Sequence, residues 1–156
     1  MPLTKLFEDG GALSVSMTIE NLAHHPMDLV YGCRLNFKPA TNGEIVQADA
    51  ALSRVSRRDS DGMTHMIQKH TDGSSDYMGY DAAELDHTVR WILIHQDQQV
   101  IGMALPSTCD PEGYTSERKK GNVRAIPPLG KATFSVRTGY LDSDQTRDME
   151  RRIRSM

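Results

Sequence analysis

Two stretches near opposite ends of the chain alternate apolar and polar residues with period two. In residues 13–20, Leu13, Val15, Met17 and Ile19 alternate with Ser14, Ser16, Thr18 and Glu20. In residues 131–138, Ala132, Phe134, Val136 and Thr138 fall on one face and Lys131, Thr133, Ser135 and Arg137 on the other. Side chains of a strand point to alternate faces, so both stretches are expected to be half-buried strands. Residues 88–94 (TVRWILI) are rich in β-branched and aromatic side chains, and a turn at 96–98 leads into a further apolar run at 99–105.

The remaining punctuation fits an all-β chain. Asn21 and Pro26 mark a turn, after which the run 29–37 is expected to pair back on 13–20 as a hairpin. A turn at 39–43 precedes a short strand at 44–47. Residues 53–62 are polar and turn-rich, and the loop 71–75 separates 63–70 from 77–80. Residues 106–121 read as one long polar loop holding two prolines and two glycines. Only the tail, 143–156, has helical character: Ser143 or Asp144 is the expected cap, and Arg147, Arg151, Arg152 and Arg154 crowd the later turns, where they suit the helix dipole. Its thin apolar face, Met149, Ile153 and Met156, suggests a surface helix. The expected architecture is an antiparallel β-sandwich over residues 1–142, with a short C-terminal helical tail over 143–156.

At 156 residues the chain has the size of one domain, and its 18 basic against 21 acidic residues argue against a nucleic-acid partner held by bulk electrostatics. No stretch approaches the roughly 18 apolar residues that span a bilayer, and the start lacks the basic and apolar regions of a secretory signal. No membrane association and a cytoplasmic location are therefore expected. Cys33 and Cys109 are too few for a disulfide scaffold and are read as reduced thiols. Phosphate-binding loops, dinucleotide-binding glycines, zinc-protease helices and serine-hydrolase elbows are all missing, so no cofactor is expected. His24 and His25 are adjacent, and His65 and His70 are five apart; neither spacing suits a metal site, and none is expected.

The segment Cys109-Asp-Pro-Glu-Gly-Tyr114 is more informative. Asp110 and Glu112 flank a proline that restricts the loop, so two carboxylates can point into one pocket and be tuned apart as acid and base. A solvated acidic turn is the plain alternative. Asp86, before His87 at the start of a strand, is a second candidate, with turn capping as its alternative. The basic run Arg118, Lys119, Lys120 and Arg124 suits a phosphorylated or acidic ligand, or else forms a solvated loop.

The phrases TIENLAHHPMDLVYGCRLNF, ELDHTVRWILI and ALPSTCDPEGYTSERKKGNVRAIPPLGKATFSVRTGYL resemble, in this order, the C-terminal half of the aldose 1-epimerase (galactose mutarotase-like) family, and most nearly an uncharacterised bacterial branch of it. The resemblance runs from about Leu13 to Leu141. It implies an antiparallel β-sandwich that binds a monosaccharide or sugar derivative in a cleft and interconverts its anomers by acid/base ring opening. It further implies that Asp110 is the catalytic base, with Glu112 the alternative if the register shifts by two. Asp86 and His87 are implied to hold sugar hydroxyls. The family's acid is a histidine in a His-x-x-Phe phrase, and here that phrase reads Arg34-Leu-Asn-Phe37. Arginine stays protonated at any working pH, so Arg34, with Asn36, is expected to bind substrate rather than shuttle a proton. A non-catalytic sugar-binding module, or a remnant without activity, is the other reading. Family members are about twice as long, so a homo-oligomer or a separate N-terminal half is expected to complete the sandwich.

Overall fold

The computed structural model describes residues 1–7, 11–48, 54–55 and 57–156; Ser53 and Ser56 of the stretch expected to be turn-rich lie outside them. Among the described residues the strands are β1 (Pro2–Leu6), β2 (Ala12–Glu20), β3 (Met27–Leu29), β4 (Glu44–Gln47), β5 (Met63–Lys69), β6 (Ser75–Asp81), β7 (His87–Ile94), β8 (Gln99–Ser107), β9 (Arg124–Ile126) and β10 (Lys131–Leu141). The helices are α1 (Tyr114–Lys120) and α2 (Ser143–Arg154). Every strand pairing is antiparallel. The fold is all-β with a short C-terminal helix.

The two alternating stretches of the sequence meet each other. β2 lies against β10 with Val15 opposite Val136, Met17 opposite Phe134 and Ile19 opposite Ala132, so the two apolar rows form one face. A one-residue slip would send one of those rows to the opposite face, and burial therefore specifies the register. The resulting sheet has the order β1-β2-β10-β6-β5-β4. One of its faces contributes Met66, Met78, Tyr80, Phe134 and Val136 to the main core, which β3, β8 and β9 close with Leu29, Ile101, Met103 and Ile126. The other face packs Val46, Ile67, Tyr77 and Leu141 against Ile153 of α2. β5 and β6 are buried on both faces, which is why they lack the alternation that marks β2 and β10.

Three expectations change. Residues 29–37 do not form a hairpin with β2. β3 pairs instead with β9, and the chain beyond it runs beside β8 through single bridges at Gly32–Ser107 and Phe37–Ile101. The edge of β2 is already taken by β1 and β10, and the buried side chain of Asn21 fastens the turn to β9 by donating to Ile126 O at 3.1 Å. The long loop 106–121 contains α1, which ends at Gly121 in the left-handed conformation (φ 79°). The cap of α2 is Asp142, whose carboxylate accepts from the amides of Asp144 and Gln145 in a reciprocal capping box, and Ile153 is 1% exposed, so the helix is docked on the sheet.

Candidate functional site

The segment 30–37 alternates. Tyr31, Cys33, Leu35 and Phe37 pack against the core, while Val30, Gly32, Arg34 and Asn36 turn outward. β8 matches it only because of an irregularity. Val89 of β7 pairs with Leu105, yet Trp91 pairs with Gly102, so β8 carries one extra residue between them. Ile101 and Met103 point to the core before this bulge; Ala104, Pro106 and Thr108 do so after it. The parity of β8 thereby flips, and Leu105 and Ser107 are aimed at the outer face beside Gly32.

That outer face holds a cavity of about 420 Å³, within the range of roughly 300–1,000 Å³ usual for small-molecule sites. Val30, Val89 and Leu105 form an apolar floor, and Arg34, Ser107 and Asp110 supply polar groups. Arg34 and Asp110 lie on opposite sides of the Gly32–Ser107 bridge and so reach the cavity from different ends. The guanidinium of Arg34 stacks on Trp91, 4.1 Å from the ring centroid, and its Nε donates to Asn36 Oδ1 at 3.1 Å. The free cysteines Cys33, whose side chain packs against the core, and Cys109 also border the cavity. Burial pushes both thiols above their ordinary pKa, and for Cys109 the neighbouring carboxylates add to it.

The Asp110 end is organised by α1. Glu117, 1% exposed, accepts the Asp110 backbone N–H at 3.0 Å and Asn122 Nδ2 at 2.8 Å. Hydrogen bonds from Asn122 and Lys120 hold its carboxyl below the usual range. Lys120 Nζ sits among three carboxylates, 3.3 Å from Asp110, 2.9 Å from Glu112 and 2.9 Å from Glu117, which raise its pKa further. Glu112 itself is mostly exposed and is not part of the cavity lining.

Asp86 and His87 stand apart from this lining. The Asp86 carboxylate is 2.7 Å from Arg124 Nη2 and 3.0 Å from His87 Nδ1. Burial pushes its pKa up, but the hydrogen bond from His87 and the Arg124 charge outweigh that and hold it below the usual range. His87 pairs with Ser107 across β7 and β8 and shares its face, yet is only 5% exposed. Three of the four cations in the basic run are neutralised internally: Arg118 by Asp28, Lys120 by its three carboxylates and Arg124 by Asp86. Among the described residues no three His, Cys, Asp or Glu side chains converge on a metal position. No helix among them is long and apolar enough to cross a membrane.

Three residues of this region escape sequence reasoning: Trp91, Ser107 and Glu117. Trp91 reads as one more β-former, Ser107 needs the bulge to face the cavity, and Glu117 is hidden inside a run of charges; Lys120, expected to suit an anionic ligand, is held by three carboxylates instead.

No protein-family model and no curated protein matches the sequence. Among solved structures, the chain superimposes on a protein from Klebsiella pneumoniae subsp. pneumoniae MGH 78578 described as a "putative aldose 1-epimerase", with a TM-score of 0.85 and 16% identity. The match covers 97% of this chain and 49% of that one, so the chain spans about half the length of that protein. The likeness is one of fold: this chain has the aldose 1-epimerase-like, galactose mutarotase-like architecture.

Proposed function

We propose that the chain binds a monosaccharide or sugar derivative in the cavity beside β8 and accelerates the interconversion of its anomers. The observation that carries this is the meeting of Arg34 and Asp110 at one apolar-floored cavity, on a fold shared with a protein described as a "putative aldose 1-epimerase". The C–H face of a sugar suits Val30, Val89 and Leu105, while Arg34, Ser107 and Asp110 face its oxygens. Asp110 takes the proton of the anomeric hydroxyl as general base, the bond from C1 to the ring oxygen breaks, and reclosure after rotation gives the other anomer. Arg34 contributes by charge and hydrogen bonding, since it cannot give up its proton. Solvent water gives the ring oxygen its proton as the ring opens; on reclosure the attacking hydroxyl returns that proton to solvent while Asp110 gives its own to the carbonyl oxygen, so both are regenerated. A lone general base supports an acceleration on the order of 10²–10⁴. Asp86 and His87 support the cavity wall from beside Ser107.

Polarimetry on freshly dissolved α-D-glucose and α-D-galactose tests this. The expected result is faster approach to anomeric equilibrium than in buffer. No acceleration across a panel of sugars overturns the enzyme, and a sugar-dependent rise in melting temperature without acceleration leaves a binding module. The two free thiols suit a reducing compartment, so the cytoplasm is the proposed location.

A second copy of this chain is proposed to cover the β1 end of the sheet. Pro2, Thr4 and Leu6 occupy the core-facing positions of β1, opposite Met17, Val15 and Leu13, yet all three are exposed, Leu6 at 80%. Among the described residues β1 is also an edge strand, paired with β2 on one side only. Size-exclusion chromatography with light scattering is expected to give a species of about twice 17.4 kDa. A single species of 17.4 kDa overturns the dimer.

A further inference from the structure

The cavity contains one cation without a counter-ion. Arg118, Lys120 and Arg124 each sit within 3.3 Å of a carboxylate. Arg34 has no such partner among the described residues: its contacts are the face of Trp91 and the side chain of Asn36. These two contacts hold the guanidinium plane and use one of its five N–H donors, leaving the Nη groups for a ligand. A guanidinium fixed this way has already lost most of the freedom that binding would cost it, and its fork matches a planar or tetrahedral oxyanion in bidentate fashion. At the Asp110 end one Lys120 is shared among three carboxylates, so the net charge there is negative and an anion is favoured at the Arg34 end.

We propose that the ligand of this cavity is an anionic monosaccharide, a uronate or a sugar phosphate, whose oxyanion is bound by Arg34 while its hydroxyls reach toward Asp110. This rests on the sugar reading of the cavity and narrows it to a substrate class. It also shifts the anion preference from the basic run at 118–124, whose charges are largely consumed internally, to a single arginine in strand-like backbone.

The chain contains one tryptophan, and Arg34 lies on it, so intrinsic fluorescence reports on this contact directly. Titration with D-glucuronate and with D-glucose 6-phosphate at constant ionic strength is expected to shift Trp91 emission saturably. At least one of the two should bind roughly tenfold or more tightly than D-glucose. Arg34→Gln should weaken that anion by roughly 10- to 100-fold, the loss of a charged hydrogen-bonded pair. Arg34 is exposed, so an unchanged melting temperature verifies that the variant is folded. The two anionic sugars separate a carboxylate from a phosphate as the recognised group. D-Glucose binding as tightly as both anions overturns the anionic class and leaves the sugar reading intact. Inorganic phosphate binding as tightly as the sugar phosphate, with loss in Arg34→Gln, upholds the anion site and overturns the sugar. Absence of any response in fluorescence and in melting temperature overturns both.

Discussion

Asp110→Asn is expected to abolish anomerase activity, with a rate loss on the order of 10²–10⁴, while the protein melts within a few degrees of the wild type. Asparagine keeps the size of the side chain and leaves the backbone N–H bonded to Glu117, so the loop and α1 retain their seat. What disappears is an oxygen able to accept a proton. Lys120 keeps two of its three carboxylates, Glu112 and Glu117. Asp110→Glu extends the carboxylate by one methylene and should cost about 100-fold, the scale on which a misplaced catalytic group loses rate. Glu112→Gln should leave the rate unchanged, because that carboxylate is 58% exposed and outside the cavity lining. Stopped polarimetric traces on the three variants decide the matter: activity retained in Asp110→Asn and lost in Glu112→Gln would move the base to position 112.

The largest stability effect is expected at Asp59, far from the cavity. Arg152 of α2 donates through Nε to Asp59 Oδ2 at 2.8 Å, and His65 Nε2 lies 2.7 Å from the same carboxylate. The Met63 amide donates to the other oxygen at 3.0 Å, and Tyr77 OH lies 3.0 Å from His65 Nδ1. A neutral His65 carrying its proton on Nε2 satisfies both neighbours. Burial alone would raise the Asp59 pKa, but the hydrogen bonds from His65, Met63 and Arg152 outweigh it and bring it from 3.8 to about 2. That depression corresponds to about 2 kcal/mol of stability. For His65, burial together with the Arg152 and Arg137 charges lowers the pKa more than Asp59 raises it.

Both groups therefore act in the same direction. A depressed folded pKa means stability that is complete above the unfolded value and is lost as pH falls through the folded one. His65 begins to destabilise the fold as pH drops below its ordinary value of 6.5, and Asp59 does so between 3.8 and about 2. Urea midpoints should be flat above about pH 7 and decline on acidification. Asp59→Ala strands the buried His65 N–H and leaves Arg152 only its bond to Asp61, and should cost about 2–3 kcal/mol at pH 7. It should also flatten the decline below pH 4. Equal midpoints and parallel pH profiles for the variant and the wild type would show that this cluster does not tie α2 to the sheet.

Strand identity was legible where one face of a strand is buried and the other wet. β2 and β10 announce themselves because their apolar and polar residues alternate, and β7 and β8 through β-branched and aromatic content. β1 was not legible, since Pro2, Thr4 and Leu6 carry no apolar row that the rest of the chain buries. α1 was hidden for a related reason: what holds it is one buried carboxylate, Glu117, bonded to Asp110 and Asn122, rather than an apolar stripe. Of the candidate site residues, Arg34 and Asp110 line the cavity and Asn36 holds Arg34, whereas Asp86 and His87 form a hydrogen-bonded cluster with Arg124 beside it and Glu112 is mostly exposed.

The sequence by itself determined that this is an antiparallel β-chain with a terminal helix, because a strand's inner and outer faces are written in consecutive residues. It determined which side chains were chemically able to act. Only the tertiary structure decided which strands are neighbours, pairing Val15 with Val136 and sending 30–37 to β8 instead of β2. It alone decided what faces the cavity, since one extra residue in β8 reverses the direction of Leu105 and Ser107. Pairing partners and bulges depend on contacts between residues far apart in the chain, and a local periodicity carries no record of them.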